Sequence, residues 1–157
     1  MRQIIKLLSI FALSAAPALA SDLRPRDGWV VQDSAKSHAQ LATDLRKAVK
    51  DNGLIVVTQA GPTKAAARRG ITIPGNLVVG VFNNDYAVRV LELSTAAMIE
   101  APIRFYVTED ADGSATLSYK TPSHVFAPYV TGADTALSDI ARELDDRFAR
   151  ISQDALK

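Results

Sequence analysis

The stretch from Ile103 to Lys120, IRFYVTEDADGSATLSYK, constrains the fold more than any other. Ile103, Phe105 and Val107 alternate with Arg104, Tyr106 and Thr108. Ala115, Leu117 and Tyr119 then alternate with Thr116, Ser118 and Lys120. Successive side chains of a strand point to opposite faces, so each run predicts a strand with one apolar and one polar face. Asp112-Gly113 between them is a favoured hairpin dipeptide, because glycine adopts the backbone such a turn needs. An antiparallel pair of this kind is covered on one face and free on the other.

The rest of the chain supplies the cover. Ser37 with Gln40 three residues on is a capping-box pattern, Leu41, Leu45, Ala48 and Val49 recur at helical spacing, and Gly53 supplies a left-handed stop. A second long helix is predicted from about Asp134 to Ile151, with Leu137, Ile140, Ala141, Leu144, Phe148 and Ile151 facing inward. Between these, GWVVQ (28–32), LIVVTQ (54–59) and LVVGVF (77–82) read as strands. The second is apolar on consecutive residues, which predicts a strand covered on both faces. Pro62 opens a short helix running to Gly70. A longer one is predicted from about Asp85 to Met98, with Ala87, Val90, Leu91, Ser94 and Met98 along one stripe and Pro102 ending it. Residues 121–132 read as a turn followed by a short, partly apolar segment. The expected fold is α+β: a two-layer sandwich, with a mixed, mostly antiparallel sheet of about five strands and helices on one face.

The first twenty residues are expected to be a signal peptide. Arg2 and Lys6 precede the apolar run Leu7–Ala16, and Ala18-Leu19-Ala20 offers the small residues of a cleavage site. The apolar run is too short to span a bilayer, which takes about 20 residues. Cleavage after Ala20, with no cysteine to follow it, predicts a soluble periplasmic protein: a loose leader over 21–27 and one domain over 28–157. Of 157 residues 137 then remain, and Lys plus Arg fall from 18 to 16 against 17 Asp plus Glu. A formal charge near −1 gives no electrostatic reason to expect nucleic acid or an anionic membrane as partner.

Phe82 to Pro122 resembles a bacterial family catalogued as domain of unknown function 302. The resemblance is carried by Ala101-Pro102-Ile103-Arg104 before the strand, the acidic hairpin Glu109-Asp110-Ala111-Asp112-Gly113, and the exit Tyr119-Lys120-Thr121-Pro122. LATDLRKAVKDNGLIVV (41–57) is similar to the family's first helix and second strand, so most of 30–130 is covered. The resemblance implies a small α+β fold and a dimer, and it implies no activity. Gly61-Pro62 stands about where family members often carry Asp-His, and Val81-Phe82-Asn83-Asn84 stands where they show Phe-Gly-Asn-Pro.

Candidate sites are few. Asn83, Asn84 and Asp85 lie where a strand meets a helix N-terminus, a place that can bind a ligand through free N–H groups. The same residues cap helices, and Asp85 can pair with Arg89 one turn on; capping is the stronger expectation. If a ligand does sit there, Asp85 favours a neutral or cationic one. Glu100 and Arg104 flank Pro102, either as a surface ion pair or with Arg104 gripping a substrate carboxylate at a pocket rim. His124 lies beside Phe126 and Tyr129. Tyr106 and Tyr119 are candidates for a shared stacking surface, against the commoner fate of aromatics as core. DADGS opens like a calcium loop, but the twelfth position is Thr121, not glutamate. With no cysteine and only two histidines, His38 and His124, no metal site is predicted, and no cofactor signature or nucleophile motif is present.

Two functions follow as expectations. The first is a non-enzymatic binding or interaction module, a homodimer taking a small molecule or protein partner through Asn83, Asn84, Asp85, Arg89, Glu100, Arg104 and His124. The alternative is a small cofactor-free hydrolase using His124 with a nearby carboxylate. A dimer covering the polar sheet face would bury Arg104, Tyr106, Thr116 and Ser118 only on association.

Overall fold

The computed structural model describes residues 23–131 and 135–157. The predicted signal peptide lies outside the described residues, as does Asp134, the expected start of the last helix. Strands β1 (Trp29–Ser34), β2 (Ile55–Ala60), β3 (Asn76–Phe82), β4 (Ile103–Glu109) and β5 (Ala115–Lys120) form one sheet in the order β1-β5-β4-β3-β2. Every neighbouring pair is antiparallel. Helix α1 (His38–Asp51) carries the chain from one edge strand to the other, and α5 (Ala136–Leu156) packs beside it on the same side. The shorter helices are α2 (Thr63–Ala67), α3 (Asn84–Leu93) and α4 (Pro122–Phe126). The result is the two-layer α+β sandwich that the alternating hairpin and amphipathic helices call for.

The helix-side face holds the core. Val79, Val81, Phe105, Val107, Leu117 and Tyr119 meet Leu41, Leu45 and Val49 of α1 and Leu144, Phe148 and Ile151 of α5, all buried. At its centre Phe148 stacks on Phe105 with centroids 4.5 Å apart, and Tyr119 meets Phe105 edge-on at 5.1 Å. All six residues predicted to face inward from the last helix are buried. The helix runs on to Leu156 and buries Ala155 as well.

Three local expectations are corrected. Strand β2 is an edge strand, with Ile55 58% and Val57 45% exposed; a run of apolar residues specifies a strand but not its place in the sheet, and an edge leaves it uncovered. Helix α3 stops at Leu93, because Ser94 turns to extended backbone (φ −157°, ψ 105°) and a 3₁₀ segment, Ala96–Glu100, follows. The stripe does not hold either: Leu91, inside the helix, is exposed, and Ala97 of the 3₁₀ segment is buried. The segment after β5 is helical too, since the Thr121 hydroxyl accepts the His124 N–H at 3.3 Å and Pro122 pre-sets the first turn.

Candidate functional site

Among the described residues no helix covers the other face of the sheet, and the register lays its residues out in rows. Val78, Tyr106, Ser118 and Val31 face one another across β3, β4, β5 and β1. Asn76, Thr108, Thr116 and Asp33 form the next row. In the opposite direction Gly80 pairs with Arg104 and Lys120 with Trp29, and one further step of the β4–β5 register brings Arg104 opposite Lys120. Gly80 has no room for a side chain: a Cβ there would lie 2.2 Å from Thr58 Oγ1 and 2.9 Å from Pro102 Cγ. A cavity of about 340 Å³ opens over these rows, lined by Trp29, Asn76, Arg104, Tyr106, Ser118 and Lys120 among others. Its volume falls within the range of small-molecule sites.

Positive charge dominates this pocket. Two cations facing across adjacent strands repel each other, and neither Arg104 nor Lys120 enters an ion pair among the described residues. Lys120 Nζ instead sits 5.3 Å from the centroid of the Trp29 ring, and the Arg26 guanidinium lies 4.7 Å from the same ring. The carboxylate in the lining, Glu100, accepts a 2.7 Å hydrogen bond from the Tyr129 hydroxyl. That bond, and then burial, push the Tyr129 phenol above its ordinary pKa. The Glu100–Arg104 ion pair considered from the sequence therefore does not form, although both residues line one pocket.

Below the cationic row lies Ser118. It is fully buried, and among the described residues its Oγ has no hydrogen-bond partner. Leaving such a group unsatisfied costs roughly 1–3 kcal/mol. Thr108 Oγ1 on the same face is likewise buried and unpartnered. Thr116 behaves differently, its hydroxyl contacting Asp110 Oδ2 at 2.8 Å and Asp33 Oδ1 at 3.2 Å. The Tyr106 hydroxyl accepts a hydrogen bond from the Asn76 amide.

Thr116 (5% exposed) and Ser118 are thus buried in the single chain, not only on association. Strand β5 lies between β1 and β4, and its short side chains are overhung by neighbours on both sides. The Tyr106–Tyr119 stacking surface does not form either. Register pairs Tyr119 with Phe105 and Tyr106 with Ser118, so the two tyrosines lie on opposite faces of the sheet.

The strand-to-helix junction is a cap. Asn83 Oδ1 accepts the N–H groups of Asp85 (2.9 Å) and Tyr86 (3.1 Å), and its Nδ2 donates to Gly53 O at 2.9 Å. Every polar atom of that side chain is in use, while Asn84 and Asp85 are exposed. Arg89 does not pair with Asp85. It forms a two-pronged bridge to Glu143 of α5, both contacts 2.8 Å, and lies 5.3 Å from the Tyr86 ring. The bond to Arg89 holds the Glu143 carboxyl below its ordinary range. The cavity beneath this junction is apolar, about 40 Å³, and so of water size.

His124 is exposed on α4, and its ring packs on Gly28, where an added Cβ would lie 2.1 Å from His124 Cγ. No carboxylate hydrogen-bonds its ring among the described residues. It lies next to the Trp29 end of the pocket without lining it. The acidic hairpin is a turn: Gly113 has φ +85°, and Asp112 Oδ1 accepts the Ser114 N–H at 2.9 Å. No cluster of His, Asp and Glu suited to a metal occurs among the described residues.

Of the seven sequence candidates, then, Glu100 and Arg104 share the open-face pocket, Asn83 and Arg89 serve the fold, and Asn84, Asp85 and His124 stand apart. Trp29, Asn76 and Lys120 also line this pocket and were not among the seven candidates, and Ser118 was placed on this face only as dimer surface. The strand alternation already put Lys120 and Ser118 in phase with Arg104 and Tyr106. Trp29 and Asn76 come in through β1 and β3, whose registers the sequence does not set.

Fold and site together define a class: a small α+β domain with one free sheet face carrying a cationic, aromatic-flanked pocket. The chain belongs to the DUF302 family, "Domain of unknown function DUF302", which matches residues 30–155. Among solved structures it is similar to the crystal structure of an uncharacterized conserved DUF302 protein from Bacillus stearothermophilus. The TM-score is 0.71 at 19% identity, covering 83% of this chain and 98% of that one. No curated protein gives a match. Among the described residues no helix is long and apolar enough to cross a membrane.

Proposed function

We propose that this domain is a non-enzymatic binding module, working in the periplasm after loss of residues 1–20, with its ligand seat on the open face of the sheet. The observation that carries this reading is Ser118. A hydroxyl buried without a partner among the described residues, in the lining of a pocket with two cations at its rim, is costly for folding alone and useful for holding a ligand. The junction at Asn83 offers no comparable group, since both polar atoms of its side chain are already hydrogen-bonded.

The test is native mass spectrometry of residues 21–157 purified from periplasm without denaturation. A co-purifying small-molecule mass, lost in Ser118→Val and kept in Asn84→Ala, is the expected result. Retention of the mass in Ser118→Val with loss in Asn84→Ala would return the site to the junction. A homodimer belongs to the same reading: edge strand β2, with exposed Ile55 and Val57, leaves its outer hydrogen-bonding groups open to a second copy. Light scattering at micromolar concentration giving a monomer mass would remove that part.

A further inference from the structure

Resting on the open-face reading above, we infer that the ligand is a small organic monoanion: a carboxylate on a compact apolar body, its charged end between Arg104 and Lys120. Three observations fix this class. Arg104 and Lys120 face each other without an ion-pair partner among the described residues, so an anion between them turns a repulsion into two attractions. The guanidinium suits an oxyanion, because its planar fork donates two parallel bonds to two oxygens of a carboxylate or a phosphate. Ser118, in the adjacent row and in the same lining, carries a hydroxyl with no partner among the described residues and so a further donor for the anion.

Charge and shape narrow the class further. Two cations against the single carboxylate of Glu100 leave the lining with one excess positive charge, which matches a monoanion better than a phosphate dianion. Glu100 is held off by Tyr129, so it disfavours a second negative charge instead of neutralising Arg104. Away from the cationic row the floor is Val78 and Tyr106, with Val125 at the side. An inorganic anion would fill only one end of a cavity of about 340 Å³, whereas an apolar body would cover that floor.

The experiment is an NMR titration of ¹⁵N-labelled residues 21–157 with four probes: benzoate, benzylamine, benzyl alcohol and inorganic phosphate. Benzoate is expected to shift the amides of Arg104, Tyr106, Ser118 and Lys120 saturably, with the other three far weaker. Arg104→Gln weakens benzoate by about tenfold or more, since it loses the charge-assisted fork. Arg104→Lys recovers only part, and added salt weakens binding in the wild type. If benzylamine or benzyl alcohol saturates these amides and benzoate does not, the anion class is wrong and the open-face site stands. Phosphate binding as tightly as benzoate would overturn the organic part. If no probe shifts these amides and Ser118→Val keeps the native mass-spectrometric profile unchanged, the ligand class and the open-face site both fall.

Discussion

The two faces of the one sheet are built from the same strands and solve opposite problems. On the helix side, Phe105, Leu117 and Tyr119 are closed over by α1 and α5, and the aromatic trio with Phe148 uses its surface for packing alone. On the free side, the residues one step along each strand are Arg104, Ser118 and Lys120, with two facing cations and a hydroxyl that has no partner among the described residues. Alternation makes both faces from one stretch of sequence. The free face carries two buried hydroxyls with no partner among the described residues, Ser118 and Thr108, while His38 Nε2 on α1 and Arg147 Nε on α5 are the corresponding orphans on the helices.

The largest way to break this comparison is at the centre of the covered face. Phe148→Ala removes a fully buried ring stacked on Phe105, and is expected to cost about 3–5 kcal/mol in urea unfolding. Tyr106→Ala, on the free face, removes a half-buried ring and should cost clearly less. Equal losses would mean that the free face is a second core.

Next comes Asn83→Ala, which tests whether the strand-to-helix junction belongs to the fold. It strips two capped N–H groups and the bond to Gly53 O, for an expected loss of about 1–2 kcal/mol with open-face binding unchanged. Ser118→Ala should behave in the opposite way. Removing a buried hydroxyl with no partner among the described residues should leave stability unchanged or raise it by about 1 kcal/mol, while binding on the free face weakens. A clear loss of stability in Ser118→Ala would assign the hydroxyl to the fold.

The sequence carried the covered face well and the free face poorly, for a physical reason. A core is written as periodicity within one element, which is why the stripes of α1 and α5 and the alternation of β4 and β5 were legible. A pocket on a sheet is written across elements. Arg104 was visible as a candidate beside Pro102, but Trp29 joins it only because β1 pairs with β5, a contact between residues some ninety positions apart. The same limit misplaced β2, whose apolar run looks central although the strand is an edge. It also offered Asp85, one turn away, as a partner for Arg89, whereas the bridge goes to Glu143 on another helix.

The smallest effect is the sharpest contrast, because it sets two arginines side by side. Arg89 is paired across helices with Glu143; Arg104 faces Lys120 with no ion pair among the described residues. The Arg89 bond lowers the Glu143 pKa in the folded state, with Arg147 and Tyr86 adding to it and burial opposing. A carboxyl with a depressed folded pKa contributes stability that is present above its unfolded pKa and is lost as pH falls through the folded one. Arg89→Gln should therefore lower the thermal midpoint slightly at neutral pH, and the gap from wild type should close as pH drops below the ordinary carboxylate range. Both groups are nearly half exposed, so the effect is that of a screened surface pair and shrinks in added salt. Arg104→Gln should show no such gap and no closure, since it relieves the repulsion from Lys120 and breaks no ion pair. Midpoints measured at intervals from neutral to acidic pH decide it. An Arg104→Gln deficit that disappears in acid would reveal a carboxylate partner for Arg104 and remove the anion seat from the free face.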